Sequence, residues 1–194
     1  MSKSKLRAAA VAAAIGLGCL ALGGCTTTPA NSQAAGPSAR EAMDRNAEAT
    51  LARLYALVPG SQELVQRSAA VLVFPAVVGG SFVVGAEHGR GALREGGRVT
   101  DYYSTTAGSL GLQAGGQSKA VIYVFNTSQA LAQFKASNGW TAGVDATVAV
   151  GNIGANGSLD TRTAQQPVAS FVLTNVGLEA GASVGAAKVV RVSL

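Results

Sequence analysis

The chain has 194 residues, of which 48% are hydrophobic and 13% charged, so we expect one domain with a sizeable apolar core. Twenty-five glycines but only five prolines exclude the collagen-like and proline-rich classes. Three of the 15 basic residues lie in the first 24 positions, which leaves twelve against ten acidic residues and a net charge of +2. Nucleic-acid binding therefore loses its main support.

The first 24 residues have the pattern of a lipoprotein signal peptide. Lys3, Lys5 and Arg7 precede an apolar run over residues 8–22, which is too short to span a bilayer as a stable helix. The segment Leu22-Gly23-Gly24-Cys25 then resembles the bacterial lipobox. An ordinary secretory signal fits more loosely and stays open as the alternative.

Cleavage after Gly24 makes Cys25 the lipidation site, whose thiol carries acyl chains such as palmitate. Each buried CH₂ contributes about 0.8 kcal/mol, so two or three chains anchor a protein firmly. Cleavage also removes Cys19, so Cys25 is the only cysteine left and no disulfide is expected. The residue after the lipidated cysteine is Thr26, whereas an aspartate at that position would signal retention in the inner membrane. We therefore expect the periplasmic face of the outer membrane, in a bacterial cell envelope.

Residues 25–37 are small and polar and read as a flexible tether, so the predicted domain spans residues 38–194. A helix is predicted over residues 38–58, with a second short helix over 62–67. Apolar residues recur at helical spacing on one face of the first helix, at Met43, Ala47, Leu51, Leu54 and Val58. That face either packs on the sheet, which we favour, or lies on a membrane surface.

Strand-like segments follow, interrupted by a helix near residues 127–137. Pro75 is expected to end the first strand, because proline donates no ladder hydrogen bond. Glycines near Gly89 and Gly91 predict close backbone approach. The predicted fold class is α+β: a curled, barrel-like antiparallel sheet of glycine-rich strands with N-terminal helices and one inserted helix. The predicted strands cover residues 70–74, 78–87, 90–94, 98–104, 108–115, 119–125, 141–151, 167–174 and 178–192.

No catalytic or metal-binding pattern stands out, so we expect a protein that is not an enzyme and needs no metal or cofactor. His88 is the only histidine, and no nucleophile elbow lies near it. Asp145 and Asp160 are isolated in sequence and expected to be solvated. The glycines of residues 111–116 lack the lysine of a P-loop. Tyr102, Tyr103 and Trp140 suit either a bilayer interface or, as we favour, the core.

Several motifs in order resemble the SYLF domain family, specifically its bacterial secreted lipoproteins. The resemblance covers about residues 50 to 192. The matching segments are Ala70-Val71-Leu72-Val73-Phe74-Pro75, Gly80-Ser81-Phe82-Val83-Val84-Gly85, Gly89-Arg90-Gly91-Ala92-Leu93, Ser109-Leu110-Gly111-Leu112-Gln113-Ala114-Gly115, a strand and helix ending in Phe134, Ser170-Phe171, and Gly177-Leu178-Glu179-Ala180-Gly181-Ala182-Ser183.

The resemblance implies lipid binding without enzyme activity. Eukaryotic relatives bind phosphoinositides, and some act on actin at membranes. Neither the actin role nor phosphoinositides suit a periplasmic protein, so the implied ligand is another anionic phospholipid. Phe171 stands where many relatives have tyrosine, and Tyr102-Tyr103 stand where many have tryptophan.

Our first hypothesis is a lipid-anchored domain that binds the anionic headgroups of membrane lipids. The candidate headgroup contacts are Arg40, Arg45, Arg53 and Arg67 on the leading helices, then Lys119 and Lys135. The second is a structural or interaction module, held by its acyl anchor alone, with an envelope protein as partner. The third is a hydrolase that uses His88.

Overall fold

The computed structural model describes residues 37–81, 84–110, 115–151, 153, 158–179 and 186–194. The predicted signal peptide and tether, residues 1–24 and 25–37, lie outside them except for Pro37. The described elements are α1 (Pro37–Leu57), α2 (Ser61–Arg67), β1 (Ala70–Ser81), β2 (Val84–Glu95), β3 (Arg98–Leu110), β4 (Gly115–Phe125), α3 (Ser128–Ala136), β5 (Trp140–Thr141), β6 (Val148–Val150), α4 (Thr161–Gln165), β7 (Val168–Thr174), β8 (Gly177–Leu178) and β9 (Lys188–Val192).

The described strands form one strongly curled, half-barrel sheet. Their order is β5-β9-β3-β2-β1-β4-β7-β6, and β8 pairs with β7. The pairs are antiparallel except β6 with β7. The predicted α+β class with a curled sheet is thus confirmed, with α4 and the parallel pair as additions.

The N-terminal helices cover one face of this sheet, which we call the helix face. Ala47, Leu51 and Leu54 of α1 are buried there, in one cluster with Val73 of β1 and Ile122 of β4. The predicted packing of the first helix on the sheet is therefore confirmed. Burying a leucine side chain contributes about 1.5–3 kcal/mol, so this contact stabilises α1 far more than its modest helix propensity does.

The opposite face, which we call the concave face, carries an aromatic cluster. Phe134 of α3 lies 4.8 Å from Phe125 and 5.5 Å from Trp140, measured between ring centroids. Tyr103 is also buried there, 4.8 Å from Phe134. The core interpretation of Trp140 and Tyr103 is therefore confirmed. Aromatic pairs at these separations stabilise a core beyond the area they bury.

Pro75 does not end β1, so that prediction is wrong. Val73 pairs with Ala92 on β2, but the next pair on that side is Ala76 with Arg90. The register thus shifts across Phe74 and Pro75, and β1 continues to Ser81. Proline is tolerated because a bulge leaves a residue without its ladder bond. The prediction of one strand over residues 78–87 is wrong, because residues 78–81 belong to β1 and residues 84–87 to β2. The predicted segment 90–94 is part of β2.

Gly91 confirms the expected close approach of backbones near this bulge. A Cβ at Gly91 would lie 2.4 Å from the carbonyl oxygen of Val73 and 2.6 Å from Cδ1 of Phe74. A Cβ at Gly89 would lie 2.8 Å from the carbonyl oxygen of Ala76. Any residue larger than glycine at either position would therefore push β1 away from β2.

The predicted strand over residues 141–151 is mostly wrong, because β5 and β6 cover only four of those residues and a turn separates the two strands. Val144 is 71% exposed, so the alternation of apolar residues does not mark a buried face there. The predicted strand over 178–192 is described as β8 and β9, and residues 180–185 lie outside the described residues.

Asp145 is exposed, as expected, and Asp160 is partly exposed, but each carboxylate also accepts a hydrogen bond from the backbone. An Asp145 carboxylate oxygen accepts a hydrogen bond from the Thr141 backbone N–H at 2.6 Å. Asp160 caps α4 by accepting from the Arg162 backbone N–H at 3.0 Å. Both carboxylates satisfy backbone donors that a turn or a helix start leaves without partners.

Candidate lipid-binding site

The four candidate arginines of the leading helices do not converge. Arg40 donates to the backbone carbonyl of Leu194, and Arg53 donates to that of Thr174. Arg45 lies 4.0 Å from Glu41 in an exposed i,i+4 pair, and Arg67 is exposed in the last turn of α2. These side chains are spread along the helix layer, and two of them tether it to distant backbone.

The two candidate lysines are each engaged by a carboxylate. Lys119 of β4 lies 2.9 Å from Glu87 of β2, and Lys135 of α3 lies 2.8 Å from Glu95. The Lys135 and Thr100 side chains donate hydrogen bonds to Glu95 and lower the pKa of its carboxyl. Either lysine would have to give up its partner to bind a lipid headgroup.

Arg40 borders a surface groove of about 520 Å³ that also contains Arg191. Arg191 pairs there with Asp101, and the Tyr102 hydroxyl donates to Asp44 at 3.0 Å. Partial burial and this carboxylate raise the pKa of Tyr102. Arg40 and Arg191 are thus accompanied by Asp101 in the groove and by Asp44 at the Tyr102 hydroxyl, which leaves little excess positive charge with which to hold an anion.

Lys119 and Glu87 border a small cavity of about 50 Å³ on the concave face. Tyr123 lines it, is fully buried, and has a hydroxyl without a hydrogen-bond partner in the described part of the chain. Burial raises the pKa of this phenol, so it stays neutral. The cavity has room for a few water-sized groups but not for a lipid headgroup.

The distribution of ion pairs is uneven between the two signs of charge. Eight of the ten acidic side chains bind a cation, a hydroxyl or a backbone N–H. Seven of the twelve basic side chains that follow residue 24 have no carboxylate partner within the described residues. Five of these also lack any side-chain hydrogen bond there: Arg67, Arg90, Arg98, Arg162 and Lys188. Among the described residues, basic side chains are therefore more available than acidic ones to bind a partner.

Sequence reasoning did not select Arg90 and Lys188 as candidates, because it favoured the arginines of the leading helices, followed by Lys119 and Lys135. One signal was present: His88 and Arg90 are two residues apart in a strand-like run, which puts them on the same side of a strand. Lys188 lies about one hundred residues later, and only strand pairing brings it to the same sheet region.

The described residues contain no group of three or more metal-binding side chains. His88 is exposed on β2, and its Nδ1 lies 3.4 Å from the hydroxyl of Thr106. Among the helices that the structure describes, none has the length and apolarity needed to cross a membrane.

Part of the chain matches a known protein family. Residues 106–193 match the family model Ysc84, described as "Las17-binding protein actin regulator". This range contains four of the segments on which the resemblance was based: those that begin at Ser109, Ser170 and Gly177, and the strand and helix that end in Phe134. No curated protein matches the chain significantly.

Proposed function

We propose that this chain, whose residues 106–193 match the SYLF (Ysc84) domain family, is an acyl-anchored envelope module that binds anionic phospholipid and catalyses no reaction. The family is one of lipid- and protein-binding domains, which supports a binding role in general. The anchor, the preference for anionic lipid and the location at the periplasmic face of the outer membrane are the finer parts of the proposal.

One observation carries the preference for anionic lipid: the acidic side chains are largely engaged, whereas seven cations have no carboxylate partner in the described residues. Each basic residue near an anionic membrane contributes about 1 kcal/mol, so several must act together. Arginine can also bind phosphate through two parallel hydrogen bonds.

The anchor brings these cations to the membrane. Acyl chains on Cys25 would hold the N-terminus at the bilayer, and the twelve residues from Thr26 to Pro37 reach at most about 40 Å. Weak headgroup contacts then act at a high effective concentration, because the second binding event becomes intramolecular. The weak cationic contacts therefore need only orient a domain that is already at the surface.

The proposal is tested with residues 25–194 carrying Cys25→Ser, which removes the anchor but keeps every described helix and strand. Co-sedimentation is measured with vesicles of phosphatidylcholine alone and with added phosphatidylglycerol, at two salt concentrations. We expect binding only to the anionic vesicles and weaker binding at high salt. Equal binding to both, or none to either, would refute the preference for anionic lipid.

The anchor itself needs a separate experiment. Full-length protein grown with a clickable palmitate analogue should incorporate label, and Cys25→Ser should abolish it while Cys19→Ser should not. Membrane fractionation then compares the two variants. Label retained in Cys25→Ser would contradict the lipobox assignment.

A protein-interaction module is the second candidate, because the description of the matched family names a protein, Las17, as the binding partner of its members. In that case the acyl chains alone hold the domain, and the sheet docks an envelope protein. Absence of vesicle binding together with a stoichiometric co-purified envelope protein would favour this candidate. Actin regulation is not proposed for a periplasmic location.

A further inference from the structure

The helix face is only partly covered by helices. α1 and α2 bury the end of the face that carries Val71, Val73 and Ile122. Beyond the bulge in β1 no described helix covers the same face, and Val78 is 56% exposed. Among the described elements, the sheet therefore presents a bare region next to the helix layer.

Strand pairing aligns five exposed side chains across this bare region. Val78 pairs with Ser118 on one side and His88 on the other, His88 pairs with Thr106, and Thr106 pairs with Lys188. We call these residues the open row: Ser118, Val78, His88, Thr106 and Lys188. They come from five adjacent strands, β4, β1, β2, β3 and β9, and span about 19 Å at about 4.8 Å per strand. Arg90 lies beside the row, two residues from His88 on the same side of β2.

Lys188 of the open row and Arg90 beside it have no carboxylate partner among the described residues. Glu87 and Asp101 belong to the same strands but bind Lys119 and Arg191. Lys119 is paired across the strands with Val77, and Arg191 with Tyr103, and both Val77 and Tyr103 pack on the concave face. The two carboxylates therefore lie on that face, on the other side of the sheet from the row. At the β9 edge, Asp145 is held by the Thr141 backbone and forms no ion pair with Lys188. The Asp145 carboxylate keeps its charge near Lys188, because Thr141 pairs with Lys188. Arg90 and Lys188 therefore leave an excess of one positive charge in this region.

The shape of this region favours an extended partner. The row is an exposed sheet surface five strands wide: the Thr106 hydroxyl lies between Arg90 and Lys188, and Val78 and the Ser118 hydroxyl continue the row on the other side of β2. A membrane presents many anionic headgroups over such a width, together with apolar material beneath them. Guanidinium and ammonium groups would pair with the phosphates, and Val78 would enter the interfacial zone.

We propose that the open row, with Arg90, is the surface by which this domain docks on an anionic phospholipid bilayer. The inference rests on the proposed function and assigns it to a different set of residues from the helix arginines. It places the sheet at the membrane and leaves α1 packed.

The test is Arg90→Gln with Lys188→Gln in residues 25–194 carrying Cys25→Ser, using phosphatidylcholine vesicles with 30% phosphatidylglycerol. About fivefold per cation predicts about 25-fold weaker binding. The matched control is Arg98→Gln with Arg162→Gln, which removes the same charge from exposed residues without side-chain partners. Arg98 lies about 26 Å along β3 from the row, and we expect less than a threefold loss.

The outcomes separate the two proposals. Equal losses in both double variants would overturn the open row as the docking surface while leaving anionic lipid binding in place. If the Cys25→Ser domain itself binds no anionic vesicle, the proposed function and the inference both fall.

A labelling experiment checks the orientation independently of charge. Cys25→Ser removes the only cysteine after residue 24, so Val78→Cys provides a single site for an environment-sensitive fluorophore. Its emission should shift to the blue when the same vesicles are added. Gln133→Cys, exposed on α3 at the concave face, is the control and should not shift. A shift at position 133 alone would contradict the inference.

Discussion

Gly91→Ala should destabilise the domain by about 2–3 kcal/mol, because the added methyl has no space. Its Cβ would lie 2.4 Å from the Val73 carbonyl oxygen and 2.6 Å from Cδ1 of Phe74. The backbone cannot yield easily, since Gly91 lies between Arg90 and Ala92, which pair with β1 on either side of the bulge. In a domain of this size, such a loss lowers Tm by about 5–10 °C.

Gly108→Ala is the matched control, because a Cβ there meets nothing within 4 Å and Gly108 is also in a long strand. Alanine in place of glycine restricts the unfolded chain, so this variant should be neutral or up to about 1 kcal/mol more stable. Urea unfolding of both variants, with similar m values, gives the difference in free energy of unfolding. If the two variants differ by less than about 0.5 kcal/mol, close packing of β1 on β2 at Gly91 is refuted.

Three further substitutions test the core and one ion pair. Leu54→Ala should lower the free energy of unfolding by about 2–5 kcal/mol, because Leu54 is fully buried between α1 and the sheet. A loss below about 1 kcal/mol would argue against that packing. Tyr123→Phe should leave stability equal or slightly raised in urea unfolding, since it removes a buried hydroxyl without a described partner, and a clear loss would reveal a hydrogen bond. Glu95→Gln should destabilise at pH 7 by less than about 1 kcal/mol, because the lowered pKa of Glu95 stabilises the fold above its unfolded pKa of about 4.5. That difference should shrink as the pH falls through the lower folded pKa, and a difference unchanged from pH 7 to pH 2 would contradict the assignment.

Local sequence was sufficient to predict where α1 and α3 lie and which positions of α1 are buried. The predicted range 38–58 differs from α1 by one residue at each end, and the apolar positions predicted to face inward include Ala47, Leu51 and Leu54, all buried. The helix predicted near residues 127–137 is α3, capped by the Thr127 side chain. Helical spacing and capping are local properties, so they can be read without knowing the partners of the helix.

Strand boundaries were harder because they depend on pairing. Pro75 looked like an end, but the bulge opposite β2 and β4 accommodates it. Alternation around Val144 looked like a buried strand, but no neighbouring strand pairs with that residue, and the Asp145 carboxylate holds a turn there. A period of two indicates a strand only when another strand supplies the hydrogen bonds.

Sequence by itself determined the fold class, the order of the helices, which helix positions are buried, and the net charge of +2 that follows residue 24. The tertiary structure alone decided where that charge is available. Carboxylates distant in sequence engage Lys119 and Lys135, whereas strand register brings His88 and Lys188 onto one bare row. Ion pairing and register depend on contacts between residues tens of positions apart, and no local pattern in the chain encodes those contacts.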